Sequence, residues 1–323
     1  MLVDDIFNEP FDFNAKAVSV FLHQATTPGI YSDYILKLKV DPNSIIRAEQ
    51  IPFLPVSFFK THTIREEGAN TEIIFSSSGT SGAATSNHFV TDLDIYIKSF
   101  TTSFRLFYGD IKKYCFLALL PSYLERNGSS LVFMCDHLIK QSQHPLSGFY
   151  LDQMAELRQT LEQLKLQKQP VVLLGVTYAL LDLADIFPFD FPELIIIETG
   201  GMKGKRKEMI REEIHACLKK AFGVSSVHSE YGMTELLSQA WSKADGIFYC
   251  PPWMRVFIRD INDPFQLAGN HETGAINVID LANIHSCAFI ATDDIGRRSG
   301  DQSFEILGRM ESSDLRGCNL LVG

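Results

Sequence analysis

From Thr71 onward the chain alternates short runs rich in β-branched and aromatic residues with longer stretches of helical spacing, and this alternation restricts the fold more than any other feature. It predicts a layered α/β architecture. Strands are expected at 72–77, 114–120, 171–175, 194–199 and 224–229, with helices at 92–107, 131–140, 152–166 and 203–222 between them. After Tyr231 the pattern changes to short strands at 237–241, 254–259, 275–280 and 303–307, separated by turns containing Gly, Pro and Asp. The first 70 residues, with the apolar and Pro-containing stretch 51–59, read as short helices and loops packed onto something larger. The expected organisation is a layered α/β portion over 1–235 with an N-terminal helical region and a phosphate loop, followed by a β-rich portion over 236–323.

At 323 residues there is ample chain for a large core, and 46% hydrophobic with 21% charged residues is the balance of a soluble globular protein. Basic residues number 29 and acidic ones 39, a net charge of −10, so the average field repels phosphates and argues against nucleic-acid binding. A local basic cluster remains compatible with a phosphorylated ligand. No apolar run is long enough for a transmembrane segment, and the acidic start is unlike a signal peptide, so a cytoplasmic protein is expected. The six cysteines contain no C-x-x-C pair, which argues against a zinc site and a disulfide framework; most are expected to be buried. Cys318, in the polar setting Arg316-Gly317-Cys318-Asn319, is the exception.

Four short segments have the residue types of a nucleotide site. Ser76-Ser77-Ser78-Gly79-Thr80-Ser81-Gly82 follows the apolar run Ile73-Ile74-Phe75, and its glycines and hydroxyls let backbone N–H groups approach an anion. It lacks the lysine of the G-x-x-x-x-G-K-[ST] loop, and a solvated Ser/Gly turn has the same composition. His228-Ser229-Glu230-Tyr231-Gly232-Met233-Thr234-Glu235 places an aromatic face, a hydroxyl and a carboxylate within five residues, suited to a base, a phosphate and Mg²⁺; a plain strand end with a polar turn looks similar. Glu198-Thr199-Gly200-Gly201-Met202-Lys203 is a strand running into a glycine pair and a basic helix start, open to a flat ligand or to an ordinary turn. Thr292-Asp293-Asp294-Ile295-Gly296-Arg297, with Leu307-Gly308-Arg309 after it, offers a carboxylate for ribose hydroxyls and a guanidinium for phosphate charge; an acidic β-turn is the alternative.

The order of these segments over about residues 71–317 resembles the adenylate-forming, acyl-CoA synthetase-like superfamily of acyl and aryl ligases. Within it, Thr-Gly-Gly-x-Lys-Gly at 199–204, Leu-Pro-Ser-Tyr-Leu-Glu-Arg at 120–126 and the terminal Arg-Gly-Cys resemble the acyl-protein synthetase (LuxE-type) family, which includes the fatty-acid ligase component of bacterial luminescence. The resemblance implies the N-terminal core of an adenylate-forming ligase, using ATP and Mg²⁺ to activate a carboxylic acid, expected to be a fatty acid. Ser77, Ser78, Gly79, Thr80, Ser81 and Gly82 would hold ATP phosphates. Gly200 and Gly201 would line the adenine with Tyr231 on its face and Gly232 following. Thr234 would touch the α-phosphate, Glu235 would bind Mg²⁺, and Asp294 with Arg309 would hold the ribose. Cys318 would take the acyl group from the adenylate and deliver it to an acceptor such as a reductase or carrier protein, with Arg316 favouring its thiolate. A spectator thiol is the alternative.

Larger superfamily members continue past the Gly-Arg hinge into a lid bearing a lysine, whereas 14 residues follow Arg309 here, so a chain without that lid is expected. Positive charge at the transition state would then come from Lys203, Lys205, Arg297 or Arg298. His88 either replaces the lysine absent from the phosphate loop or is a surface histidine. Two rival activities stand beside the relay: direct transfer to coenzyme A or a carrier's phosphopantetheine with Cys318 idle, and a catalytically silent nucleotide-binding subunit.

Overall fold

The computed structural model describes residues 6–8, 12–77, 85–121, 128–151, 153–200, 206–207, 209–269, 271–300 and 302–310. The N-terminal region is helical: α1 (Phe13–Thr26) is capped by the Asp12 carboxylate, which accepts the Ala15 N–H at 3.0 Å, and buries Ala17, Val20 and Phe21 on one stripe. It is followed by α2 (Ile30–Lys37), the two-residue strand β1 (Leu54–Pro55) and the single turn α3 (Phe58–Thr61). A separate hairpin of β2 (Ile73–Ser76) and β3 (Asn87–Val90) carries the Ser/Gly/Thr loop at its tip.

Next come α4 (Leu93–Tyr108), β4 (Cys115–Leu119), α5 (Ser130–Ser142), β5 (Gly148–Tyr150), α6 (Met154–Leu166), β6 (Val171–Val176), α7 (Thr177–Ile186), β7 (Ile195–Thr199), α8 (Arg211–Phe222) and β8 (His228–Tyr231). Strands in the order β5-β4-β6-β7-β8 are all parallel. β4 and β6 are buried along their whole length, as expected of parallel strands covered on both faces. Tyr96 and Phe100 of α4 meet Phe75 and Phe133 with ring centroids 4.9 to 6.4 Å apart, which fastens the hairpin and α5 to the same core.

Beyond β8 the same sheet turns antiparallel through β9 (Ala240–Ser242), β10 (Ile247–Tyr249), β14 (Ser303–Arg309), β13 (Phe289–Arg298), β12 (Thr273–Asp280) and β11 (Met254–Arg259). β1 pairs parallel with Ile290 and Ala291 of β13, on the edge that β14 occupies farther along. The register of β12 against β13 slips between Ala275↔Ile295 and Asn277↔Ala291, so Thr292, Asp293 and Asp294 sit on a bulge.

The layered α/β expectation describes this architecture, and three details differ. Among the described residues helix α8 starts at Arg211, after the extended cap residue Ile210, and Arg206, Lys207 and Met209 are not helical, where the expected helix began at 203. The strand expected at 224–229 lies at 228–231, because Gly223 ends α8 in the left-handed region at φ 69° and the chain bends again at Ser225. The Thr-Asp-Asp-Ile-Gly-Arg segment is part of a long strand and not an acidic turn. Cys115, Cys135, Cys250 and Cys287 are buried and Cys217 is exposed. Among the described residues no helix is long and apolar enough to cross a membrane.

Candidate functional site

The hairpin pins the two ends of the Ser/Gly/Thr loop. The Ser77 N–H donates to Ser86 O at 3.0 Å, the Ser86 N–H donates to Ser77 Oγ at 2.9 Å, and Ser76 Oγ donates to Asn87 Oδ1 at 2.7 Å. Ser77 therefore closes the neck. Ser78, Gly79, Thr80, Ser81 and Gly82 lie outside the described residues. The Ser76 N–H donates to Gly128 O at 2.8 Å, and a Cβ on Gly128 would sit 3.1 Å from Ile74 O, so glycine with φ 93° allows the close approach.

The hairpin meets the turn just beyond the carboxyl end of β8, through His88 to Thr234 O at 3.0 Å and Ser86 to Glu235, in the region where open α/β sheets place ligands. Thr199 Oγ1 donates to Glu230 Oε2 at 2.5 Å, linking the two strand ends. Gly200 follows with φ 77°, in the left-handed region; Gly201, Lys203 and Lys205 are outside the described residues. Arg206, beyond that gap, is held on α7 by Asp182 at 2.7 Å and by Asp185. Burial pushes the Glu230 carboxyl up to about 7, against the Thr199 bond and with the help of the nearby Glu198 charge. Its head lies deep in the cleft although part of the side chain is reachable by solvent. On the other face, Glu198 accepts from Thr177 Oγ1 at 2.8 Å and has Arg211 and His215 each 3.7 Å away. Ser229, His215 and Glu198 do not form a nucleophilic relay, because the same His215 Nε2 faces both partners.

Five of the residues expected from the motifs converge here. Tyr231 is buried, packs edge-on against Phe248 and Phe304, and donates its hydroxyl to Asp294 Oδ2 at 2.8 Å. Arg309, paired with Asp294 across β13 and β14, brings Nε to 3.8 Å from Asp294 Oδ1. Burial raises the Asp294 carboxyl, with Tyr231 and Arg309 pulling the other way. Burial also raises Glu235, opposed by a hydrogen bond from Ser86 and by the Arg309 charge. Those neighbours put Glu235 between the loop neck and the Asp294–Arg309 pair. Thr234 is partly exposed beside it. Gly232 is exposed, and a Cβ there would meet Glu230 Oε1 at 2.4 Å.

Other expected residues are elsewhere. Arg297 is engaged by both Glu305 oxygens at 2.9 and 3.0 Å, and Arg298 donates to Gly300 O at 3.2 Å and lies over the Phe257 ring, so among the described cations Arg309 is the one the fold brings to Asp294 and Glu235. His88 is fully buried, not a surface histidine, and it is not placed as a phosphate-binding cation because burial pushes it down to about 4. Arg316 and Cys318, and the segment 122–126, lie outside the described residues.

Sequence reading missed the supports of the turn. Asn283 Nδ2 donates to Glu235 O at 2.7 Å, and the buried Asp280 carboxylate accepts the Leu237 and Ser238 N–H groups at 2.9 Å each. These bonds span more than 40 residues of sequence, so no local pattern announces them. Among the described residues no cluster of three or more His, Cys, Asp or Glu could hold a metal ion alone. A lone carboxylate such as Glu235 would hold Mg²⁺ only where phosphate oxygens and water complete its shell.

No protein-family model matches the chain, and no curated protein matches it. Solved structures do. ATP-bound MatB from Rhodopseudomonas palustris aligns with a TM-score of 0.58 and 15% identity over 76% of this chain and 49% of that chain. A 2-hydroxyisobutyryl-CoA ligase in complex with 2-HIB-AMP and CoA aligns with a TM-score of 0.69 and 12% identity over 93% of this chain and 70% of that one. The same ligase in its thioesterification state gives 0.68 and 14%, over 92% and 67%. The chain spans about half the length of MatB. These likenesses establish the fold alone, a layered α/β core of the kind seen in MatB and 2-hydroxyisobutyryl-CoA ligase.

Proposed function

We propose that this protein is an ATP-dependent, AMP-forming acid–thiol ligase. The observation that carries the reading is the convergence of Tyr231, Asp294, Arg309 and Glu235 with the neck of the Ser/Gly/Thr hairpin at the carboxyl ends of β7 and β8. MatB and 2-hydroxyisobutyryl-CoA ligase share this fold, and their ATP-bound and acyl-AMP-bound forms support a nucleotide in the same cleft.

In the proposed reaction a substrate carboxylate oxygen bonds to the α-phosphorus of ATP and pyrophosphate leaves. A thiolate then attacks the acyl carbonyl and AMP leaves. Asp294, oriented by the Tyr231 hydroxyl, keeps lone pairs free for the ribose hydroxyls, and Arg309 limits the repulsion between Asp294 and the phosphates. By the sequence resemblance, Thr234 would donate to the α-phosphate, and Gly200 and Gly201 would border the adenine. Glu235 and Thr234 would hold Mg²⁺, which neutralises charge building on the phosphates.

The finer assignment is an acyl-protein synthetase of the LuxE type: a fatty acid is activated, passed to the Cys318 thiolate and delivered to a partner protein. It rests on the sequence resemblance at 199–204, 120–126 and 316–318. Carboxylate-dependent exchange of pyrophosphate into ATP tests the first half-reaction. Wild-type protein should exchange, and Glu235→Gln should lower the rate by about 100-fold, the scale of losing one ligand to developing charge. Exchange that stays at background over a broad panel of acids refutes the ligase. Intact mass measurement after incubation with MgATP and fatty acids tests the relay. An acyl adduct present in wild type and absent from Cys318→Ser supports it; thioester formation on coenzyme A at an unchanged rate in Cys318→Ser overturns it.

A further inference from the structure

His88 belongs to β3, opposite Phe75 of β2, in the hairpin that carries the Ser/Gly/Thr loop. It is wholly buried and uses both ring nitrogens. Nδ1 lies 3.0 Å from Thr234 O and Nε2 lies 2.9 Å from Ser286 Oγ. A carbonyl only accepts, so Nδ1 carries the hydrogen; Nε2 is then bare and accepts from the Ser286 hydroxyl. A neutral ring satisfies both partners, consistent with burial pushing its pKa down to about 4. Phe59 closes the remaining side edge-on, with centroids 5.6 Å apart.

The Thr234 carbonyl and the Glu235 N–H share one rigid peptide plane. The next plane begins with the Glu235 carbonyl, which Asn283 holds at 2.7 Å. Both peptide planes flanking Glu235 are thus fixed by buried side chains, His88 from the hairpin and Asn283 from the turn that also carries Ser286.

We propose that His88 is a positioning residue that joins the hairpin to the Thr234-Glu235 turn, so that the hairpin neck at Ser77 and Ser86 and the Glu235 carboxylate keep one fixed separation. The inference rests on the adenylating reading of the site. Its reach comes from geometry: a displacement of about 1 Å in a reacting constellation costs on the order of 100-fold in rate.

The test compares His88→Leu, which removes both bonds, with His88→Asn, whose side-chain amide nitrogen stands where Nδ1 stood and can still donate to Thr234 O. Pyrophosphate exchange is measured alongside thermal unfolding. The expected result is that His88→Leu lowers kcat by about 100-fold while still melting cooperatively, and that His88→Asn recovers at least about tenfold of that loss at the same melting temperature as His88→Leu. Unchanged kcat in His88→Leu overturns the proposal, as does an equal loss in both folded variants. If His88→Leu does not fold, Ser286→Ala takes its place: it leaves Nε2 without its donor, and a kcat equal to wild type overturns the proposal. Wild-type protein whose exchange stays at background over the same panel of acids overturns the adenylating reading, whether or not it binds MgATP, and the positioning role falls with it.

Discussion

Two neighbours pull on the proton of Glu230 in opposite directions: the Thr199 hydroxyl favours the anion, while burial and the Glu198 charge favour the acid and win, bringing the group up to about 7. The usual value for such a carboxyl is 4.5. The folded state therefore binds this proton more tightly than the unfolded chain does. Its stabilising effect is complete below the unfolded value and is lost as pH rises through the folded one. Glutamine keeps an oxygen for Thr199 and carries no charge, so Glu230→Gln should gain stability relative to wild type as pH rises from about 4.5 to 7, by roughly 1 to 3 kcal/mol. Melting curves of both proteins at pH 4.5 and pH 7.5 check this; the same difference at both pH values refutes it. His228 acts with the opposite sign, since burial and then Lys243 push it down to about 4, so its contribution is lost as pH falls through that value. Wild-type stability should accordingly vary less with pH than that of Glu230→Gln. None of this is readable from His228-Ser229-Glu230-Tyr231, because the groups that shift Glu230 lie on β7.

At the scale of elements, the Asp280 carboxylate holds a buried corner together. It accepts the Leu237, Ser238 and Ala282 N–H groups and the Ser238 hydroxyl, which ties the end of β12 to the chain just after Glu235. Asp280→Ala would leave three backbone donors buried and unpaired. At about 1 to 3 kcal/mol for each such group, partly offset by relaxation and water entry, the loss should be on the order of 3 to 5 kcal/mol. Urea unfolding measures it, and a loss under about 1 kcal/mol would show that the corner finds other partners. The elements differ in how plainly the sequence announces them. β11 reads directly because its short, mostly apolar run Met-Arg-Val-Phe-Ile-Arg is bounded by Pro251-Pro252 and Asp260. α7 goes unread because Thr177 to Leu181 are all buried, which erases the amphipathic period, and it follows β6 without a break. β13 goes unread because Thr292-Asp293-Asp294 on a bulge has the composition of a turn. The motifs around Tyr231 and Asp294 name residues that do lie together, whereas His88, Asp280 and Asn283 act through partners as far as 42 to 198 residues away.

Across the whole molecule, hydrogen bonding runs without interruption from β5 through β8 into the antiparallel strands as far as β11, and one apolar core lies against both halves. The change from parallel to antiparallel pairing falls between β8 and β9, at the candidate site itself. Trp241 lies on β9 at that junction and donates to Ser103 of α4 at 2.8 Å; Trp253, just before β11, donates to Ser99 of the same helix at 3.1 Å. One helix thus backs both sides of the junction. Neither half can open without exposing an unpaired strand edge and part of the shared core, and that linkage favours unfolding as one unit. Both tryptophans are almost fully buried, so their emission should start blue-shifted and move red in a single step with denaturant. Trp241→Phe and Trp253→Phe variants, each leaving one reporter, should give midpoints that agree with each other and with the loss of far-ultraviolet dichroism. Separate midpoints for the two reporters would mean that the antiparallel strands form a unit able to open alone, and Asp294 and Arg309 would then leave the site before Tyr231 loses its place on β8.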